Sequence, residues 1–312
     1  LNSYLKRFAG TVIAFIVFVI LLASVLLFDR EKQSGEKLEK VFPGIGTEEI
    51  TSFSLKSPGS EFTLEKADGG WIVKSGTKEF KADKGAIEDL LQDVGDMESE
   101  KLAARDSDNL GEYGVVDSET EFSFRTRDAE YPLIIGDKSP VGTGTYVYDL
   151  GEGRVLIVKD RYLWGFINKS LVDFRERNLL GMNKDSVLRI TFKVGDFSTE
   201  LVRKEGKWFA AVGEDKRIAD QKKVRELLDS FSGLKAEGFE NDLPENLEKY
   251  GLNEPTAEIV FYGDGGEEGV LFGKRKDEWS YFVKVMKSDP VYSVSKNYFK
   301  ILPKNNEDFT GR

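Results

Sequence analysis

The chain has 312 residues, 40% of them hydrophobic and 32% charged, with a formal net charge of −10. That is room for two domains with their own cores, and the acidic balance argues against a nucleic-acid partner. There is no cysteine and no histidine. Disulfides, thiolate nucleophiles, Ser-His-Asp and Cys-His catalysis and Cys/His metal sites are thereby excluded, which leaves only carboxylate or Ser-Lys chemistry for an enzyme.

Residues 1–7 form a short tail that ends in Lys6 and Arg7, and residues 8–28, "FAGTVIAFIVFVILLASVLLF", carry no charge. At ~1.5 Å rise per residue such a run spans about 30 Å, the thickness of a bilayer's hydrocarbon core. Lys6 and Arg7 have no acid nearby, whereas "DREK" after the run is charge-balanced. The positive-inside rule therefore predicts a single-pass anchor with its N-terminus in the cytoplasm. A cleaved signal peptide would have a shorter apolar region ending in a small-x-small site, and a lipoprotein anchor would need a cysteine. Gly10 and Ala14 form a small-xxx-small pair that could pack on another helix. Residues 29–47 are charged, close on Pro43, Gly44 and Gly46, and read as a stalk.

From about residue 48 the chain repeats itself with a shift of 137. Phe53 and Leu55 fall on Ile190 and Phe192, Trp71 on Trp208, and Ala82-Asp83 on Ala219-Asp220. Leu110, Tyr113 and Gly114 fall on Leu247, Tyr250 and Gly251, and Gly136 falls on Gly273. Near the end the shift changes slightly, and Tyr162 then matches Tyr298. The chain is a tandem duplication, with repeat one and its junction over 48–180, repeat two over 181–303 and a C-terminal tail over 304–312.

Within each repeat "ITSFSL" alternates as a half-buried strand does, and "EFTLEKADGGWIV" and "STELVRKEGKWFA" read as hairpins. Ile87, Leu90, Leu91 and Val94 form one apolar helical stripe, repeated by Val224, Leu227, Leu228 and Phe231. Asp83 and Asp220 stand where the N-cap of each helix belongs. The "LxxYG" segments predict a short helical turn that carries Tyr113 or Tyr250 into the core and ends at Gly114 or Gly251 in the left-handed conformation. A strand meander follows. The expected fold class is α+β: a single transmembrane helix, then two tandem homologous α+β domains with antiparallel sheets.

Few side chains invite a chemical role. Trp71 and Trp208 could stack a sugar or headgroup, but closing a hairpin onto a helix is the simpler role. Asp83 and Asp220 could be a carboxylate pair, but capping accounts for both. The glycine-rich residues 135–146 lack P-loop spacing and lie between strands, so they read as a hairpin loop. Residues 160–180, "DRYLWGFINKSLVDFRERNLL", bridge the copies. They read as a packed junction in which Trp164, Phe166, Arg175 and Arg177 form a candidate partner surface. Acidic groups such as "DEW" lack calcium-loop spacing, and no cofactor or metal is expected.

With these pieces assembled the chain resembles the bacterial membrane-anchored proteins that carry the domain of unknown function four-three-four-zero. The resemblance rests on "GGW" or "GKW", "AD" before "IEDLL" or "VRELL", "L-x-x-YG-[VL]", a strand leading to "IG" or "FG", and "FRERNLL". Ser118 departs from the pattern, since the second copy has Pro255 there. Family members are similar to proteins encoded beside ABC-type export permeases and ATPases, among them auxiliary components associated with gliding motility. The resemblance implies a non-enzymatic extracytoplasmic accessory subunit at the bacterial inner membrane, with its tandem domains periplasmic or extracellular. Its expected partners are permease and ATPase subunits, the lipid bilayer and further envelope proteins. The alternative is a stand-alone anchored protein that binds an envelope lipid or glycan.

Overall fold

The structure, a computed structural model, describes residues 39–106, 109–140, 144–212, 215–305 and 307–310. The chain divides into two compact units at the Glu176/Arg177 bond. The predicted anchor, with Lys6, Arg7, Gly10 and Ala14, lies outside the described residues. Among the described residues no helix is long and apolar enough to cross a membrane.

The first unit contains β1 (Glu39–Lys40), β2 (Ser52–Ser57), β3 (Ser60–Ala67), β4 (Gly70–Ser75), β5 (Lys78–Lys81), α1 (Lys84–Gly95) and β6 (Glu98–Arg105). It continues with β7 (Glu121–Arg125), β8 (Glu130–Lys138), β9 (Gly144–Asp149) and β10 (Arg154–Lys159). All ten strands pair antiparallel, in the order β1-β6-β10-β9-β8-β7-β2-β3-β4-β5.

The second unit contains β11 (Val187–Val194), β12 (Phe197–Lys204), β13 (Lys207–Val212), β14 (Asp215–Ile218), α2 (Gln221–Ser232) and β15 (Gly238–Asn241). It ends with β16 (Ala257–Gly263), β17 (Gly266–Arg275), β18 (Ser280–Val285), β19 (Val291–Ser295) and a short α3 (Lys296–Lys300). Its sheet order is β14-β13-β12-β11-β16-β17-β18-β19-β15. Replacing each strand of the first unit by its repeat partner reproduces this order, with β1 as the addition.

The α+β expectation is therefore corrected. The units are mostly β, two antiparallel sheets of ten and nine strands, each with one helix of 12 residues. The expected helical turns are single 3₁₀ turns. The sequence reading undercounted strands because β5 (KEFK), β6 (ESEKLAAR) and β14 (DKRI) carry no clean apolar alternation. These strands lie at or near the sheet margins, where side chains meet solvent instead of a core.

Each helix carries the chain from one margin of its sheet to the other and buries its apolar stripe on one face. Ile87, Leu90 and Val94 pack with Phe53, Leu64, Phe122, Phe124 and Val158. Val224, Leu227, Leu228 and Phe231 pack with Ile190, Leu201, Phe261 and Phe272. Fully burying one such side chain contributes about 1.5–3 kcal/mol.

Both units are tied shut by segments read from sequence as stalk, junction and tail. Val41 and Phe42 lie buried in the first core, and the Val41 N–H donates to Met97 O at 2.9 Å. Leu179 N–H donates in the same way to Leu234 O at 2.9 Å. The unit packing thus starts at β1, inside the segment read as stalk, and the junction is divided between the units. At the other end, Phe174 and Phe309 enter their own cores, with rings 5.5 Å from Phe62 and 5.6 Å from Phe192. Phe174 O accepts from Asp83 N–H at 2.8 Å, and Phe309 O from Asp220 N–H at 2.6 Å. Each Phe is preceded by an Asp that accepts from a backbone N–H upstream, Ser170 N–H to Asp173 at 2.8 Å and Lys304 N–H to Asp308 at 2.6 Å. The C-terminal tail is thus the second copy of the Asp-Phe latch that closes the first unit.

Candidate functional site

The residues that the duplication keeps are scaffold. Asp83 accepts from Ala86 N–H at 3.0 Å, and Asp220 from Lys222 and Lys223 N–H at 3.0 and 3.2 Å. Each carboxylate caps its own helix in its own unit. Trp208 is buried, and its backbone N–H and C=O both bond the Gln221 side chain at 2.9 Å. Trp71 is partly buried, its ring 5.5 Å from Phe53.

The Tyr-Gly turns do not enter the helix-side cores as expected: Tyr250 is buried in a separate cluster with Leu252 and Val291, and Tyr113 is only partly buried. Tyr113 lies edge-on to Tyr146 at 5.0 Å, and Tyr250 edge-on to Phe282 at 5.1 Å. Gly114 and Gly251 take φ of +67° and +68°, the left-handed region that glycine adopts at no steric cost. Of the glycine-rich stretch 135–146, residues 135–138 end β8 and 144–146 begin its antiparallel neighbour β9, while 141–143 lie outside the described residues. Among the described residues no group of three acids could hold a metal.

Each unit has a groove between the outer face of the helix and the segment after the last strand. In the first unit that segment begins with Tyr162, buried, its hydroxyl donating to Glu98 at 3.0 Å. Leu163 and Phe166 then anchor it from one side, Phe166 stacked on Phe122 at 4.0 Å with the planes 9° apart. With residues on either side of it turned inward, Trp164 faces outward and is 69% exposed. It lines a groove of about 400 Å³ together with Asp89, Gln92 and Asp93 of α1, and Arg161, Gly165 and Lys169 opposite.

Asp93 sits against the backbone of Gly165, where an added Cβ would come within 2.3 Å of Oδ2. Burial, then the Asp89 charge one turn away, pushes its carboxyl up to about 6, while the Gly165 N–H and Lys169 pull it down.

The second unit has the same groove with other residues, about 360 Å³ lined by Lys223, Glu226, Lys300, Ile301 and Lys304. By the repeat, Asp93 becomes Ser230, Trp164 becomes Lys300 and Gly165 becomes Ile301.

Of the candidate partner surface, Trp164 alone is prominently exposed. Phe166 is a core residue, and Arg175 is buried with its guanidinium 3.7 Å over the Phe80 ring. Arg177 belongs to the second unit, where its carbonyl accepts from Ala236 N–H at 2.8 Å. Sequence reasoning missed Asp89, Asp93, Gly165 and Lys169. Two acids four apart near the end of a helix were the available signal for the first pair, because they run against both like-charge spacing and the helix dipole.

No curated protein and no solved structure matches the chain. The profile of the family described as Domain of unknown function (DUF4340) matches residues 71–219 and 211–312. With both repeats covered from Trp71 to Arg312, the chain belongs to the DUF4340 family.

Proposed function

We propose that the chain is a non-enzymatic extracytoplasmic accessory subunit of an ABC-type transporter. Residues 8–28 hold it at the bacterial inner membrane, N-terminus inside, and pack on the permease. Both units then stand outside the cytoplasm and contact substrate or envelope partners. The transporter association rests on the family resemblance.

The observation that supports a binding role is how the two copies differ. The capping aspartates, the tryptophans and the Tyr-Gly turns are kept in place, whereas the solvent-facing groove is relined, Trp164 and Asp93 against Lys300 and Ser230. Core positions differ as well, as at Phe53 and Ile190, but the groove's changes alter what the two frames present to solvent, and function resides in such sites rather than in the fold.

The test is purification of the tagged full chain in mild detergent, with a permease and an ATPase expected alongside it. Reproducible recovery of the chain alone would overturn the transporter reading. The exposed Trp164 ring favours one alternative, an anchored envelope protein that stacks a glycan or lipid headgroup. That reading requires a bound glycan or lipid to appear by mass spectrometry of the purified chain.

A further inference from the structure

We propose that the first unit's groove docks a basic segment of a partner protein, a lysine or arginine lying across Trp164 with its charge on Asp89 and Asp93. The proposal deepens the accessory-subunit reading by stating the chemistry of the partner, and it rests on that reading for the existence of one.

Charge complementarity selects the occupant, because the groove's carboxylates outnumber its cations: Asp89, Asp93 and Asp173 stand against Lys169 and Arg161, and Arg161 already pairs with Glu98 at 3.7 Å. Asp89 and Asp93 are four residues apart on one helical face, where like charges repel. Asp93 and the C-cap Asp96 also stand at the end of α1 where the dipole disfavours anions, and the last turn has no basic residue. Among the described residues Asp96 pairs with Lys40 at 3.8 Å, but neither Asp89 nor Asp93 forms an ion pair. An arrangement that departs from two local rules at one exposed place is expected where a ligand repays the cost.

Trp164 supplies the second element. The other prominently exposed tryptophan, Trp279, carries Lys296 Nζ 3.8 Å above its ring. Trp164 has no such cation among the described residues, and it lines the same groove as the two carboxylates. A guanidinium or ammonium held between an indole face and two carboxylates gains cation–π attraction and charge-assisted hydrogen bonds together. The second groove has no indole, and its three lysines, Lys223, Lys300 and Lys304, outnumber Glu226 and Asp308, so it disfavours the same side chain.

The probe is a fluorescein-labelled hexa-arginine peptide, titrated into the full chain in mild detergent by anisotropy. Trp164→Ala leaves the net charge unchanged and removes an exposed ring, so it separates the groove from general attraction to an acidic protein. We expect this variant and the Asp89→Asn/Asp93→Asn double variant each to weaken binding about tenfold or more, with Lys300→Ala unchanged. Thermal unfolding of each variant confirms an intact fold. Binding insensitive to Trp164→Ala would overturn the proposal. So would a neutral oligosaccharide that binds through Trp164 while the peptide does not. If the wild type ignores the peptide yet still brings down permease and ATPase, this inference falls and the transporter reading stands.

Discussion

The carbonyl oxygen of Tyr250 lies where a Cβ on Gly273 would stand 2.1 Å away, and Tyr113 stands in the same relation to Gly136 at 2.2 Å. Each Tyr-Gly turn thus rests directly on the backbone of a strand, and glycine is required there by space. The obstructing atom is main chain and cannot swing aside. Gly136→Ala and Gly273→Ala are each expected to lower stability by about 1–3 kcal/mol through overpacking. Gly69→Ala and Gly265→Ala, where an added Cβ meets nothing within 4 Å, serve as controls near zero. Denaturant midpoints of the four variants test this; equal effects at all four positions would refute the contact.

The Asp-Phe latches make a second prediction. Phe309 is 5% exposed and Phe174 2%, and each accepts through its carbonyl from the N–H of the helix-capping aspartate. Phe309→Ala, or a stop after Pro303, is expected to cost about 3–5 kcal/mol in the second unit. Hydrogen exchange would then accelerate first in α2 and its facing strands. Phe174→Ala is expected to act in the same way on α1. Unchanged protection of α2 in the truncated chain would make the tail dispensable and the latch assignment wrong.

Why the latch was hidden in the sequence is instructive. The helix stripes, hairpin turns, capping aspartates and Tyr-Gly turns are local patterns, confirmed twice by one shift of 137, so they were legible. The latch depends on contacts across about 90 residues of chain, and only Asp-Phe and a final Arg survive between "LVDFRER" and "NEDFTGR". The marginal strands were missed because β5 and β14 pair through backbone and show solvent-like side chains. The groove was hidden for a related reason. Asp89 and Asp93 look like an ordinary solvated helix face until Gly165, 72 residues beyond Asp93, is placed against them.

The capping aspartates allow structure and chemistry to be separated. Asp83→Ala and Asp220→Ala are each expected to cost about 1 kcal/mol, while Asp83→Asn and Asp220→Asn retain most of the stability because asparagine caps as well. A catalytic carboxylate would be disabled equally by alanine and asparagine. Measuring stability and any hydrolytic activity on the same four variants decides between the roles. Activity lost in the asparagine variants would revive the carboxylate pair.

Asp93 makes the stability of the first unit depend on pH in an unusual direction. Its carboxyl titrates at about 6 in the folded chain against an ordinary 3.8, raised first by burial and then by Asp89, with Asp96 adding a little. Lys169 opposes them, and Arg161 lines the same groove. Between these two pH values the folded state therefore holds more of a proton than the unfolded one. The stabilisation from the neutral carboxyl is complete below pH 3.8 and is lost as the pH rises past about 6. Asp93→Asn fixes the neutral form, so its unfolding midpoint should exceed that of the wild type at pH 7.5, with the gap closing as the pH approaches 4. Asp89→Asn removes one cause of the shift and should give a smaller gain of the same sign. A gap between Asp93→Asn and wild type that does not change with pH would show that the side chain is not held in the half-buried position beside Gly165.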